Sequence, residues 1–289
     1  MKLRSITSTV YVLAVIALCA AKWLIPGDYG SLLFDALFCA VAAIGAFELI
    51  RACGCVSLLQ RAVTITFSAL AVPMFALFAY LIGGSGWPGA VIALGVGAIA
   101  VCVLFVADHS RSDVKSTLCC IFTLAYVGLL TAVLSAVNHL EQNSMLAIMF
   151  AFMCVPFTDA GAFLIGMALG KKLPLKLAPA VSPHKTVIGA AGGILGGIIG
   201  AVAAYYLFIA LGGTPEFSLG MPEVVAVILV GLATSVATQF GDLFESAIKR
   251  AAGIKDMGRL LPGHGGILDR FDGTLFAGVV ILLAFTFMA

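Results

Sequence analysis

The sequence predicts an all-α fold, a polytopic integral membrane bundle of about nine transmembrane helices with a cytoplasmic N-terminus. Of its 289 residues, 62% are hydrophobic and 10% are charged, whereas soluble domains carry roughly 45 to 50% and about 25%. Nine apolar stretches approach the roughly 20 residues that a helix needs to cross a bilayer. Basic residues gather on one side of these stretches. This composition excludes a soluble globular domain, and we expect no nucleic-acid partner.

The predicted helices are joined by short loops up to about residue 140 and by two longer basic loops after it. Lys2 and Arg4 precede the first stretch, as in a signal peptide, and Cys19 suggests a lipoprotein. The stretch is long and lacks a small-residue cleavage site, so an anchoring helix is favoured. The stretches lie near 6–25, 31–50, 62–83, 88–106, 116–137, 145–169, 187–211, 222–244 and 270–288.

The distribution of Lys and Arg supports this topology independently of hydropathy. With the N-terminus in the cytoplasm, fifteen of the sixteen basic residues lie on the cytoplasmic side, and only Lys22 lies on the other. Such asymmetry is the positive-inside pattern. We therefore expect an integral protein of the bacterial cytoplasmic (inner) membrane, with an active site at the cytoplasmic face.

The chain reads as a single polytopic domain, 1–289, whose two halves differ in character. Residues 1–140 form apolar scaffold helices, whereas residues 145–289 carry polar groups inside the spans and are predicted to be the catalytic half. Small residues at spacings of four let membrane helices approach closely. We therefore expect tight helix packing along two series of glycines, Gly189, Gly193 and Gly197, and Gly192, Gly196 and Gly200.

The segment 241–273 holds ten of the thirty charged residues. Asp242, Glu245, Ser246 and Lys249 follow helical spacing and predict a polar stripe on one face, which Gln239 and Ser235 continue backward. Lipid does not tolerate such a stripe, so it faces the bundle or a water-filled cleft. An internal salt-bridge seam is the alternative. The next loop breaks the helix with glycines that can approach a ligand, and it carries Lys255, Asp256, Arg259, Gly263, His264, Gly265 and Gly266.

The last span opens with two aspartates, Asp269 and Asp272, which lie on one helical face. Together with Asp242 they form a set of hard oxygen ligands that suits Mg²⁺ bound with substrate phosphates. Helix capping explains either aspartate alone but not the set. The sequence therefore predicts a Mg²⁺ site on Asp242, Asp269 and Asp272, and leaves a second metal ion open.

Two upstream features are further candidates. Asp159 lies about 18 Å along its helix from Lys171, and an intramembrane carboxylate is a functional candidate; a hydrogen bond to a neighbouring helix is the alternative. Pro156 and Gly161 predict a kink that opens the helix there. In the following basic loop we expect Ser182 to cap the next helix and leave its amides facing an anion.

Three segments together resemble the signature of the phosphatidate cytidylyltransferases, also called CDP-diacylglycerol synthases. They are Thr158–Phe163, Ser182–Thr186, and the run containing Ser246-x-x-Lys249-Arg250, Lys255-Asp256 and Pro262-Gly263-His264-Gly265-Gly266-x-x-Asp269-Arg270-x-Asp272. The resemblance covers the C-terminal half, from about 157 to 273. His184, Val187 and Ile188 stand where the family commonly carries Lys, Trp and Glu, so no role is transferred to Val187 and Ile188.

The resemblance implies transfer of CMP from CTP to phosphatidic acid, giving CDP-diacylglycerol and pyrophosphate. A related CTP-dependent transferase for another lipid, or a membrane transporter, is the alternative, and self-association into a homodimer is left open. The implied catalytic residues are Asp242, Lys249, Arg250, Lys255, Asp256, His264, Asp269, Arg270 and Asp272. The implied substrate-binding residues are Asp159, Ser182, Lys185, Thr186, Glu245, Ser246, Arg259, Gly263, Gly265 and Gly266.

Overall fold

A computed structural model describes residues 2–25, 29–55, 57–83, 85–108, 112–218, 220–260 and 265–288. In these ranges eight helices are long and apolar enough to cross a membrane. The fold is therefore a polytopic helical membrane bundle, as predicted. The helices are α1 Lys2–Leu24, α2 Tyr29–Cys53, α3 Leu58–Ile82, α4 Trp87–Ala107, α5 Val114–Thr123, α6 Leu129–Asn138, α7 Ser144–Leu169, α8 Val187–Ala210, α9 Glu223–Ala251 and α10 Leu268–Met288.

The predicted stretches correspond to these helices with two adjustments. A π-helical turn, Leu124–Gly128, joins α5 to α6, and the three segments make one span, Val114–Asn138. The first helix contains the shorter apolar stretch Val12–Leu24 and is not one of the eight. A ninth span therefore stays a prediction.

The chain divides into two compact units. The first comprises Met1–His139 and Ala252–Phe271, and the second comprises Leu140–Ala251 and Asp272–Ala289. The charged segment 241–273 is thus divided between them.

In the first unit, large apolar side chains of α2 and α6 form much of the core, among them Phe34, Phe38, Leu49 and Leu134. Side chains cap the N-termini of two helices. Ser57 caps α3, and Asp113 caps α5 by accepting a hydrogen bond from the Ser116 amide at 2.7 Å. The hydroxyl and amide of Ser116 hold the pKa of the Asp113 carboxyl below its usual value.

A buried carboxylate near the start of α2 forms hydrogen bonds through both of its oxygens within this unit. Asp35 accepts the Ser135 hydroxyl at 2.7 Å, the Asn138 amide at 3.2 Å and a ring nitrogen of His139 at 2.7 Å. Lys22 joins the same network by donating to the Asn138 side chain at 2.8 Å. Because a buried polar group costs free energy unless it is paired, this network fastens α1, α2 and α6 together.

In the second unit, α7 and α8 pack backbone to backbone through the predicted glycines. A Cβ on Gly192 would lie 2.8 Å from the Gly161 carbonyl, and one on Gly200 would lie 2.9 Å from the Met153 carbonyl. Only glycine permits this approach, so the prediction of tight packing is confirmed. The helix α7 contains Pro156 without a break in the helix, so the kink beside Asp159 stays a prediction.

The basic loop after α7 is not a simple turn. Lys176–Ala178 (β1) pairs antiparallel with Ser182–Thr186 (β2), and this hairpin leads directly into α8. Thr186 caps α8 by accepting the Gly189 amide at 3.1 Å. The prediction that Ser182 is the cap is therefore wrong, because the chain is still extended at Ser182 and α8 begins only at Val187, directly after Thr186.

Candidate active site

The polar stripe on α9 faces the interior of the second unit, and its first members bind neighbouring helices. Ser235 donates to the Gly193 carbonyl at 2.9 Å and accepts the Thr158 hydroxyl at 3.1 Å. Gln239 donates to the Ala190 carbonyl at 3.2 Å. Ser235 and Gln239 therefore fix α9 against α7 and α8, and they place the charged members of the stripe one to three turns further along.

The hairpin reaches the stripe through Lys185. Its ammonium group donates to Oδ2 of Asp242, and the Ser246 hydroxyl lies 3.4 Å from Oδ1 of the same carboxylate. The side chains of Lys185 and Asp242 are 28% and 35% exposed. This ion pair is therefore open to solutes.

A second ion pair lies deeper on the same face of α9. Lys249 donates to Glu245 at 3.2 Å, and the Glu245 side chain is fully buried. Asp272, in the first turns of α10, lies against the Glu245 carboxyl and within electrostatic range of Asp242. Three carboxyl groups and two lysines thus share one region of the second unit. Ionised carboxylates this close repel, and either a shared proton or a bound cation relieves that repulsion.

Arg250 supports the hairpin. Its Nε donates to the Val181 carbonyl at 3.3 Å, although the side chain is largely exposed. The end of α9 therefore holds the turn that presents Lys185.

Asp269 is engaged differently from Asp242 and Asp272. Within the first unit its Oδ2 accepts the backbone amides of Met257 at 2.9 Å and Gly266 at 2.7 Å. These bonds close the segment that follows α9 into a loop. Gly265 has a φ of 85°, and a Cβ there would lie 2.6 Å from Asp269 Oδ2. Glycine is therefore required at this position for two reasons.

Glu48 is a residue that the sequence reasoning did not select. It belongs to α2, is 4% exposed, and accepts the amides of Ile267 at 3.1 Å and Leu268 at 2.9 Å. The sequence held a signal for it, because a carboxylate in an apolar span is a functional candidate by the same argument applied to Asp159.

The remaining predicted residues are mostly accessible. Ser182 is half-buried in β2, and Thr186 is buried. His264 and Gly263 lie outside the described residues. The exposed members of the set are Asp159, Lys255, Asp256, Arg259 and Arg270.

The acidic residues of the second unit offer only part of a coordination shell for a metal ion. In the described parts of the chain, no group of three or more His, Cys, Asp or Glu side chains is arranged to hold an ion. This includes the thiols of the first unit, where Cys55 and Cys120 Sγ lie 3.6 Å apart. Mg²⁺ commonly uses one or two carboxylates and takes its other ligands from substrate phosphates and water. Asp242 and Asp272 meet that lesser requirement.

The chain matches the model of the cytidylyltransferase family from residue 2 to residue 288. It belongs to the cytidylyltransferase family. The resemblance seen in the three sequence segments is thereby confirmed, and the match also takes in the N-terminal helices, which the segments did not reach.

Several relatives of this cytidylyltransferase-family protein are named phosphatidate cytidylyltransferase. That of Bacillus subtilis (strain 168) is 40% identical over 151 residues, which are 52% of this chain and 51% of the relative. That of Staphylococcus haemolyticus (strain JCSC1435) is 37% identical over 171 residues, 59% and 60% of the two chains. A Staphylococcus epidermidis relative is 36% identical over 194 residues, 66% and 68%. The chain thus spans about half to two-thirds of the length of these relatives.

Proposed function

We propose that the protein transfers CMP from CTP to phosphatidic acid. A phosphate oxygen of the lipid attacks the α-phosphorus of CTP, a new P–O bond forms, and the bond to the β-phosphate oxygen breaks. The products are CDP-diacylglycerol and pyrophosphate. The lipid phosphate is already ionised near neutral pH, so the reaction needs positioning and charge neutralisation more than it needs a base.

The observation that carries this proposal is the convergence of Lys185, Asp242, Glu245, Lys249 and Asp272. Acidic carboxyl groups and basic lysines lie beside each other at the ends of the membrane-spanning helices. A site for one anion would need only cations, whereas a site for polyphosphate with its metal ion needs both. The names of the relatives point to the same chemistry.

We propose Asp242 and Asp272 as the protein ligands of Mg²⁺. When bound, the ion supplies neutralisation of charge on the CTP phosphates and on the pyrophosphate leaving group. Without substrate, the Lys185 ammonium group donates to Asp242. When CTP binds, the same ammonium group can donate to a phosphate oxygen instead. Lys249 and Arg250 supply further positive charge on the same helix. Asp269, which the sequence also assigned to the metal, is engaged with two backbone amides and keeps that role here only as a proposal.

The site is proposed to face the cytoplasm, where CTP is available. Three lysines of the hairpin region, Lys171, Lys172 and Lys176, are exposed, and basic loops stay preferentially on the cytoplasmic side. The contact of Arg250 with Val181 supports locating the hairpin at the same end of the second unit as the acidic region. Phosphatidic acid can then keep its acyl chains in the bilayer while its headgroup meets these residues.

The test is CMP transfer by the purified full-length chain. Radiolabelled CTP and Mg²⁺ are offered with diacyl phosphatidate, with an ether-linked analogue, with an isoprenoid alcohol, or without lipid. We expect labelled CDP-diacylglycerol and pyrophosphate only with the phosphatidate acceptors. Transfer to the isoprenoid alcohol alone would favour the related transferase, and no transfer to any acceptor would contradict the proposal. Release of pyrophosphate distinguishes CMP transfer from transfer of the γ-phosphate.

A further inference from the structure

Glu48 contacts the start of α10 from a helix more than 200 positions earlier in the chain. Its Oε1 accepts the Ile267 amide at 3.1 Å, and its Oε2 accepts the Leu268 amide at 2.9 Å. The first amides of a helix have no partner within the helix, and negative charge is favourable at that end. Both carboxylate oxygens are therefore used to fix where α10 begins.

Two glycines press against the same carboxylate. A Cβ built on Gly258 or Gly266 would overlap the Oε1 atom of Glu48. Gly258 lies early in the segment after α9, and Gly266 lies immediately before Ile267. The backbone of both arms of this segment therefore passes close to the Glu48 side chain, and any other residue type at either glycine would displace the buried carboxylate.

Asp269 completes the fastening of this segment. It joins Met257 to Gly266 through their amides, while Glu48 binds the two residues that follow Gly266 and lies close to Gly258, which follows Met257. The accessible charged residues Lys255, Asp256 and Arg259 lie on or next to the fastened arm. Their backbone positions are thus determined by two carboxylates, one of which comes from the N-terminal helices.

We propose that Glu48 is a positioning residue for the active site, an inference that rests on the proposed function. Packing alone would be served by an apolar side chain, since burying a carboxylate is costly unless it is fully hydrogen-bonded. Unlike an apolar side chain, the Glu48 carboxylate accepts hydrogen bonds from the first amides of α10, and these bonds fix the position of those amides relative to α2. Asp272 follows Leu268 by one turn of that helix. Glu48 thereby controls, within the first unit, the placement of the charged loop and of the first residues of α10 without touching substrate.

The first test compares Glu48→Gln with Asp35→Asn, a matched control. Asp35 is also a buried, hydrogen-bonded carboxylate of α2, but its partners are Ser135, Asn138 and His139. Misplacement of catalytic groups by about 1 Å can cost about 100-fold in rate. We expect E48Q to lower kcat/KM for CTP by about 10- to 100-fold and D35N to leave it within about twofold, at a temperature where both remain folded. Activity losses that simply follow the melting temperatures of the two variants would overturn the inference.

A second measurement does not depend on activity. Hydrogen exchange is followed in wild type, E48Q and D35N over peptides covering residues 252–271. We expect faster exchange at Ile267 and Leu268 in E48Q alone, because the neutral amide replaces one acceptor oxygen with a donor. Unchanged exchange in E48Q would contradict the role of Glu48 even if the wild type proved to use another substrate. Failure of the wild type to transfer CMP, with faster exchange in E48Q, would contradict only the proposed function.

Discussion

Lys185 of the hairpin and Asp242 of α9 form an ion pair, although 57 residues separate them. The pair joins the basic loop to the acidic region and is about one-third exposed. Exposed ion pairs contribute only about 0 to 1 kcal/mol to stability. Its importance is therefore expected in binding, because a phosphate group can replace the carboxylate as the partner of Lys185.

Replacing Lys185 is expected to weaken use of CTP. Lys185→Met removes a charged hydrogen bond, which is worth about 1.5 to 3 kcal/mol, so kcat/KM for CTP should fall by roughly 10- to 150-fold. Lys176→Met is the control, since Lys176 is an exposed lysine of the same hairpin. Initial rates over a range of CTP concentrations measure both. Equal losses in the two variants would mean that the hairpin acts only through its general positive charge.

The two aspartates of α10 are expected to differ in their response to Mg²⁺. Asp272→Asn should raise the Mg²⁺ concentration for half-maximal activity by about tenfold or more, because Mg²⁺ depends on few protein carboxylates. Asp269→Asn should weaken the bonds to Met257 and Gly266 and lower stability by about 1 kcal/mol. Mg²⁺ titrations and thermal unfolding separate these effects. Recovery of D269N activity at high Mg²⁺ would instead make Asp269 a ligand, as the sequence predicted.

Replacement by alanine is expected to lower stability at one helical glycine and to leave it unchanged at another. A Cβ on Gly196 would overlap the Phe157 carbonyl oxygen and lie 3.2 Å from Gly161 Cα, whereas nothing lies within 4 Å of a Cβ on Gly95. Overpacking costs about 1 to 3 kcal/mol, so Gly196→Ala should lower the free energy of unfolding by that amount. Gly95→Ala should cause no loss. Thermal unfolding in detergent compares them, and equal stability would contradict the close approach of α7 and α8.

The caps of α8 give a further prediction. Thr186→Ala removes the side chain that accepts the Gly189 amide, and loss of such a cap costs about 0.5 to 2 kcal/mol. Ser182→Ala should leave the helix unchanged, because Ser182 lies within β2. Hydrogen exchange at the first amides of α8 reports on this directly. Faster exchange in the serine variant, with none in the threonine variant, would restore the assignment made from sequence.

Local pattern predicted most of the helices correctly. Apolar runs of about 20 residues marked all eight spans, and the spacing of Asp242, Glu245, Ser246 and Lys249 placed them on one helix, since α9 continues to Ala251. The hairpin was missed because its strands have three and five residues and contain Pro183. Strands this short carry too few alternating positions to be recognised.

The partners of charged side chains were the least predictable part of the site. Asp269 was assigned to a metal, but its Oδ2 binds Met257 and Gly266. Glu48 was regarded as part of a scaffold, but it binds the start of α10. In both cases the partners are backbone N–H groups, which every residue except proline carries and which leave no mark in the sequence.

The sequence by itself determined the membrane setting, the family resemblance and the charged segment 241–273, because hydropathy and spacing are local properties of the chain. Only the tertiary structure decided which charges meet. It paired Lys185 with Asp242, brought Asp272 to Glu245, and set Glu48 against Leu268. The physical reason is that a buried charge must find a partner, and the nearest partner is fixed by how helices distant in sequence pack.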